Sequence, residues 1–214
     1  MNPCASVPHY ATPAPTPTFG RSGFNRPDQG AVPVICYGPT VLDLAEELVD
    51  AYAEVFSAPP WNEGEEGAER FHGRLRSAAD RPGFRAVLAQ SPQGIDGFAI
   101  ARLTPKTLPD TPLYAKVAAQ LGPRRVAELL VGALELDELA VRRHARPQGV
   151  GRSLLTELAA DAPSGRAWVA MARRAERAVA SYRRLGWHEA EPLPHCANEI
   201  IVFLSPKHPS AVAA

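Results

Sequence analysis

The segment that most constrains this chain is residues 134–151, LELDELAVRRHARPQGVG. It is an apolar run of strand length that ends in a glycine turn and opens into a helix. Leu134 and Leu136 are spaced for one face of a strand, and so are Leu139 and Val141, but the two pairs are out of phase. One extra residue near Asp137 and Glu138 puts all four on one face, which is the trace of a β-bulge. A strand buried on both faces, with no bulge, fits the same letters. The turn that follows, Arg146-Pro147-Gln148-Gly149-Val150-Gly151, has two glycines that let backbone approach a ligand closely. Free N–H groups at the start of the next helix attract anions, so a phosphate-binding turn is one reading and a plain tight turn the other. No lysine completes a P-loop, and Leu154 stands where a dinucleotide fingerprint needs its third glycine.

Around this unit, strand and helix patterns alternate. Residues 32–37 are apolar and β-branched, a candidate first strand, and Gly38-Pro39-Thr40 breaks it with Thr40 as helix N-cap. Val41, Ala45, Leu48, Tyr52, Val55 and Phe56 recur at helical spacing until Pro59-Pro60 ends the helix. Ala68, Phe71, Leu75 and Ala79 stripe a second helix. Residues 84–90 and 97–103 read as a hairpin over the turn at 91–94. Residues 104–133 hold two short helices, at 113–121 and 124–132. Residues 167–172 read as a strand, and Ala175, Val179, Tyr182 and Leu185 stripe a helix that Gly186 stops. Residues 200–204 are a last strand. The order implies an α/β or α+β sheet layered with helices.

The pattern Arg146-x-x-Gly149-x-Gly151 after a strand ending Leu139-Ala140-Val141 resembles motif A of the GNAT superfamily of acyl-CoA-dependent N-acyltransferases. Further on, Ser181-Tyr182-Arg183-Arg184-Leu185-Gly186-Trp187 is similar to the superfamily's second signature, which ends a helix as Tyr-x-x-x-Gly-aromatic. The resemblance spans residues 32–205 and is strong over 134–187. It implies a mixed, mostly antiparallel sheet of about six to seven strands flanked by helices, with residues 104–133 as a helical insert between strands 3 and 4. It also implies acetyl-CoA as co-substrate, and no metal. Backbone N–H groups of Gln148, Gly149, Val150 and Gly151 would hold the pyrophosphate, with Arg146, Arg152 and Ser153 nearby. Leu139, Ala140 and Val141 would line the pantetheine arm, one N–H polarising the thioester carbonyl. Tyr182 would be the general acid for the leaving thiolate; by spacing alone it is a core aromatic.

Amine acylation needs a carboxylate to take a proton from the ammonium. Glu135, Asp137 and Glu138 lie on the strand, and Glu63 lies in the Trp61-Asn62-Glu63 loop, which the resemblance places at the acceptor. Glu138, beside the bulge, is the preferred base and Glu63 the second candidate; a solvated surface carboxylate is the alternative for each. Residues 142–184 hold ten arginines against three acids, and residues 41–80 hold ten acids against three arginines. A basic half suits the phosphates of CoA and an acidic half a cationic small-molecule amine, although two solvated helix faces would look the same. The other expectations to be weighed are a protein lysine or N-terminal amine as acceptor, a carrier-protein thioester as donor, and a non-catalytic acyl-CoA-binding regulator. The insert would shape the acceptor pocket or form a homodimer contact.

Composition narrows the classes. Basic and acidic residues number 23 each, so a whole-chain footprint for nucleic acid is absent. Cys4, Cys36 and Cys196 are far apart and form no CxxC pair, which argues against a zinc ribbon, a redox motif or a disulfide scaffold. No window approaches a membrane span and no apolar run marks a secretion signal, so a cytoplasmic setting is expected. Only Lys106, Lys116 and Lys207 among the 23 basic residues are lysine, the usage of a GC-rich bacterial genome. Proline recurs among small and polar residues over 1–30, which reads as a flexible tail. Residues 31–205 are the expected domain and 206–214 a C-terminal tail.

Overall fold

The computed structural model describes residues 32–210; the expected tail at 1–30, and residues 211–214, lie outside the described residues. Seven strands form one sheet in the order β1-β2-β3-β4-β5-β7-β6. They are β1 (Ile35–Tyr37), β2 (Arg85–Ser91), β3 (Gly94–Leu103), β4 (Leu134–Val141), β5 (Ala167–Ala172), β6 (His188–Glu189) and β7 (Ile200–Leu204). Neighbours pair antiparallel except β4 and β5, which a helical crossover joins in parallel. The helices are α1 (Ala45–Phe56), α2 (Gly64–Ala79), α3 (Pro112–Arg125), α4 (Val150–Ala160) and α5 (Glu176–Arg184).

Side-chain alternation divides the core. Ala167, Val169 and Met171 of β5 join Leu154, Leu158, Val179 and Tyr182 in a cluster under α4 and α5. On the opposite face, Leu48, Tyr52, Phe71 and Leu75 of α1 and α2 pack on Leu88, Phe98 and Ile100 of β2 and β3. Trp168, between the first set of β5 residues, points to this second face and packs beneath α3 with Val117, Leu121 and Val202. Its indole N–H donates to Thr104 Oγ1 at 2.7 Å, so a fully buried polar atom is satisfied. The insert is thus a lid on β5 and β7. Its helix breaks at Gly122 (φ 73°, ψ 160°) before Pro123, which gives the two short helical pieces expected there, the second ending in a π-helical turn (Val126–Leu130).

Three expectations need correction. The first strand is shorter than residues 32–37, because Val32 and Val34 leave the sheet to pack against the α4 side of the core. Thr40 is not a helix cap: Pro39 opens a 3-10 turn (Pro39–Leu44) with no side-chain cap, and its preset φ starts the turn. Residues 206–210 are not a free tail, since His208 is 2% exposed and its Nε2 donates to Leu129 O at 3.1 Å. That carbonyl ends a helical turn and Arg166 also caps it, at 3.3 Å.

Candidate active site

The β4–β5 ladder is short. Leu134 pairs with Ala167 and Glu135 with Trp168, and no further pair follows, so the two strands diverge beyond Glu135. On its other edge β4 stays paired with β3 throughout. Leu136 opposes Ala101 and Glu138 opposes Ile100, which leaves Asp137 as the extra residue of a bulge. Leu134 and Leu136 are buried in the α4-side core, and Leu139 and Val141 pack against it, so all four share one face. The bulge also turns the backbone. Leu134 N–H donates toward β5, to Arg166 O at 2.9 Å, whereas Arg142 N–H donates toward β3, to Asp96 O at 2.9 Å. Alternation back from Arg142 therefore aims the N–H groups of Leu139 and Val141 into the gap. Ala140 turns the opposite way and is fully buried in the α1–α2 cluster.

The glycine turn stands at the mouth of this gap. Residues Arg143–Gln148 form a 3-10 turn that Gly149 converts into α4 by adopting φ 79°, ψ 11°. Arg152 and Ser153 N–H groups return to Gly149 O at 3.0 and 3.1 Å, which leaves those of Val150 and Gly151 as the outward donors of the first helical turn. Arg146 braces the loop by donating to Val141 O at 3.1 Å, and Gln148 by donating to His144 O at 3.4 Å. Ser153 Oγ accepts the Val32 N–H at 3.0 Å, which ties the start of the described chain to this helix. Gly97 of β3 lies behind it. A Cβ there would sit 2.8 Å from Ala140 O and 3.1 Å from Val150 Cγ1, so only glycine lets α4 lie this close to the sheet.

Tyr182, on α5, lies in the α4-side core. Its ring stacks on Phe203 (centroids 5.5 Å) and meets Trp187 edge-on (5.2 Å), while Gly186 at φ 79° reverses the chain between them. Trp187 N–H caps the helix at Tyr182 O, 3.0 Å away. The Tyr182 hydroxyl has no hydrogen-bond partner among the described residues, and burial pushes its pKa upward, so it carries its proton through the neutral range. A groove of about 240 Å³ runs along α4 from Arg152 past Leu155 and Ala159 to Arg184, Trp187 and Lys207. No carboxylate pairs with its three cations among the described residues.

The carboxylates lie on the opposite face of β4, between α2 and α3, in two groups. Glu138 accepts from Arg74 Nη2 at 2.7 Å; the same nitrogen is 3.5 Å from Tyr52 Oη, and Tyr52 donates to Glu63 Oε2 at 2.7 Å. Tyr52 is held by stacking on Phe56 and Phe71, each at 4.3 Å between centroids. Burial raises the Glu138 carboxyl to about 7 against the opposing pull of Arg74. The second group is sealed: Glu135 accepts from Tyr114 Oη at 2.7 and 2.8 Å, and Arg102 bridges Glu135, Asp137 and Tyr114. Burial raises Glu135 to about 7 as well. The structure thus brings Glu138 and Glu63 into one network and withdraws Glu135 into another. Arg74, Tyr52, Arg102 and Tyr114 were not among the candidates, because none shares a local sequence pattern with the strand they serve. Arg142 also ties the two oppositely charged halves together, pairing with Asp50 at 2.5 Å and with Glu54. Among the described residues no group of His, Cys, Asp and Glu is arranged to hold a metal, and no helix is long and apolar enough to cross a membrane.

No protein-family model and no curated protein matches the chain. Solved structures do match. An aminoglycoside 6′-acetyltransferase type Ii is similar over 83% of this chain and 98% of its own, at 16% identity and a TM-score of 0.54. The PaiA N-acetyltransferase from Thermoplasma acidophilum, solved in complex with coenzyme A, covers 81% and 98% at 12% identity and a TM-score of 0.52. A GNAT-family acetyltransferase from Bacillus cereus covers 81% and 95% at 15% identity and a TM-score of 0.50. The likeness is one of fold, the GNAT fold, and in this chain the sheet has seven strands, mostly antiparallel, with α3 between β3 and β4.

Proposed function

With the GNAT fold as premise, we propose that this protein is an N-acetyltransferase. It moves an acetyl or short acyl group from acyl-CoA to a primary amine of a cationic small molecule, by direct transfer within a ternary complex. The observation that carries this reading is the opening between β4 and β5. Leu139 and Val141 N–H groups face it, and the Glu138 side chain leaves β4 one residue earlier, toward Arg74 of α2 on the other face of the sheet. Val150 and Gly151 N–H groups hold the pyrophosphate at the positive end of α4. Leu139 N–H donates to the thioester carbonyl as negative charge develops there. Glu138 takes a proton from the ammonium, and the neutral amine attacks the carbonyl carbon. The tetrahedral intermediate collapses with cleavage of the C–S bond, Tyr182 gives its proton to the departing sulfur, and the second proton shed by the acylated nitrogen returns through water to the Tyr182 oxygen, leaving a neutral amide and a neutral phenol.

The test begins with calorimetric titration by acetyl-CoA, followed by a panel of amines scored by thiol release. Saturable binding and release with small polyamines or aminosugars are expected. Binding without release on any small amine, but with release on peptides, would move the acceptor to a protein amine. Binding with no release at all would make the protein a regulator. Within an active pair, Tyr182→Phe is expected to lower kcat about a hundredfold with little change in KM for acetyl-CoA, since only the proton donor is lost. The cationic groove along α4 suits the 3′-phosphate end of the cofactor. Arg184→Ala combined with Lys207→Ala should weaken CoA about tenfold and leave 3′-dephospho-CoA unchanged in the same titration.

A further inference from the structure

We propose that the Arg74 guanidinium sits in the place of the acceptor's ammonium group, and that the site takes a primary alkylammonium once this side chain swings out. The inference rests on the reading of Glu138 as base and goes on to say where the amine lies and what shape it has. Arg74 Nη2 is seated between Glu138 Oε1 at 2.7 Å and Tyr52 Oη at 3.5 Å. The Tyr52 proton is committed to Glu63 Oε2, 2.7 Å away, so its oxygen faces the nitrogen as an acceptor. Carboxylate, phenol oxygen and a second carboxylate behind it make a seat for a cationic nitrogen, and a nitrogen is in it.

Two arginines on this face show what distinguishes a fixed cation from a displaceable one. The Arg102 side chain is 12% exposed and uses Nε and both terminal nitrogens on Asp137, Glu135 and Tyr114. The Arg74 side chain is 52% exposed and engages only Nη2, leaving Nε and Nη1 without partners among the described residues. A guanidinium built for permanence uses its fork. Arg74 instead presents one nitrogen from an exposed stem on α2, and it rehydrates when it leaves. Exchange of one cation for another keeps Glu138 paired, so displacement avoids stranding a carboxylate whose side chain is only 16% exposed.

The adjoining space sets the chemistry of the ligand. With Arg74 in place, the cavity beside Glu138 is about 10 Å³, too small for more than a single water. Its walls are Phe71, Leu75, Ala78 and Ile100, all apolar, with Asp137 and Glu138 at one side. When the guanidinium leaves, an ammonium with N–H bonds to Glu138 and Tyr52 fits the head of the site, and an unbranched aliphatic chain fits the walls. A quaternary ammonium has no N–H to give and is refused.

The test is binding of n-butylammonium and of tetramethylammonium, without acetyl-CoA, followed by amide NMR shifts in the parent and in Arg74→Ala. At least tenfold tighter n-butylammonium binding by Arg74→Ala is expected, with loss of binding when Glu138→Gln is added and no binding of tetramethylammonium by either protein. Equal or weaker binding by Arg74→Ala would overturn the proposal, because the guanidinium would then be part of the site or irrelevant to it. Equal affinity for both ammonium ions would also overturn it. Arg74→Met keeps the aliphatic stem and repeats the measurement if the alanine variant folds poorly. Failure here leaves acetyl-CoA binding and acyl transfer standing, whereas failure of the functional reading appears in the acetyl-CoA titration.

Discussion

Glu138→Gln is expected to lower kcat by a factor of about 10² to 10⁴ with the best amine, and to leave acetyl-CoA affinity unchanged. Glutamine keeps the volume and one hydrogen-bond acceptor for Arg74 but cannot take a proton. The pH profile gives the sharper readout. Burial holds the Glu138 carboxyl near 7, above the usual range, and Arg74 keeps it from rising further. A base works deprotonated, so kcat/KM should rise with pH through about 7 in the parent, and this limb should vanish in the variant. The sign for stability is opposite. The folded state binds the Glu138 proton more tightly than the unfolded state, so this group's contribution falls as pH rises from 4.5 to about 7. Glu138→Gln should flatten that slope in thermal unfolding. Unchanged kcat and an unchanged profile would shift the base to Glu63, which the Tyr52 hydroxyl already touches.

The parts of this site that are legible in the sequence are those written within one element. The phase slip between Leu136 and Leu139 marks the bulge as one of two readings, and the register with β3 decides between them by leaving Asp137 unpaired. Gly149 is legible because the chain needs φ 79° where a 3-10 turn becomes α4. Tyr182 and Trp187 are legible because helix and reversal lie within six residues, and the ring contact between them follows. What was hidden is made by tertiary contact. Arg74 meets Glu138 across 64 positions, and Tyr114 meets Glu135 across 21. No periodicity in α2 or α3 marks either residue, because a side chain at the edge of an apolar stripe reads as solvated. The same blindness lengthened β1. Val32 and Val34 have strand composition, but they bury their apolar surface beside α4, and burial rather than strand pairing is what their hydrophobicity records.

Gly149→Val is expected to weaken acetyl-CoA binding at least about a hundredfold, the largest effect of any single change away from the acids. The backbone at Gly149 lies at φ 79°, ψ 11°, and a β-branched residue held there costs more than the ~1–2 kcal/mol of an ordinary side chain. The chain can relieve that strain only by rotating out of the left-handed region. The 3-10 turn would then no longer hand over to α4 at this residue, and the Val150 and Gly151 N–H groups would leave the mouth of the gap. Charge-assisted hydrogen bonds contribute about 1.5–3 kcal/mol each, so losing two accounts for the hundredfold without any change in the core. Gly151 provides the control within the same turn. Its φ is not left-handed, and a Cβ there would stand 3.6 Å from Val141 Cγ2, an ordinary contact. Gly151→Ala should therefore bind acetyl-CoA within about threefold of the parent, a difference under 1 kcal/mol. Calorimetry on the two variants separates a turn that holds phosphate through its backbone from one that merely connects β4 to α4. In the second case Gly149→Val would lose stability and keep its affinity, and the cofactor would have to be held by the arginines of the α4 groove instead.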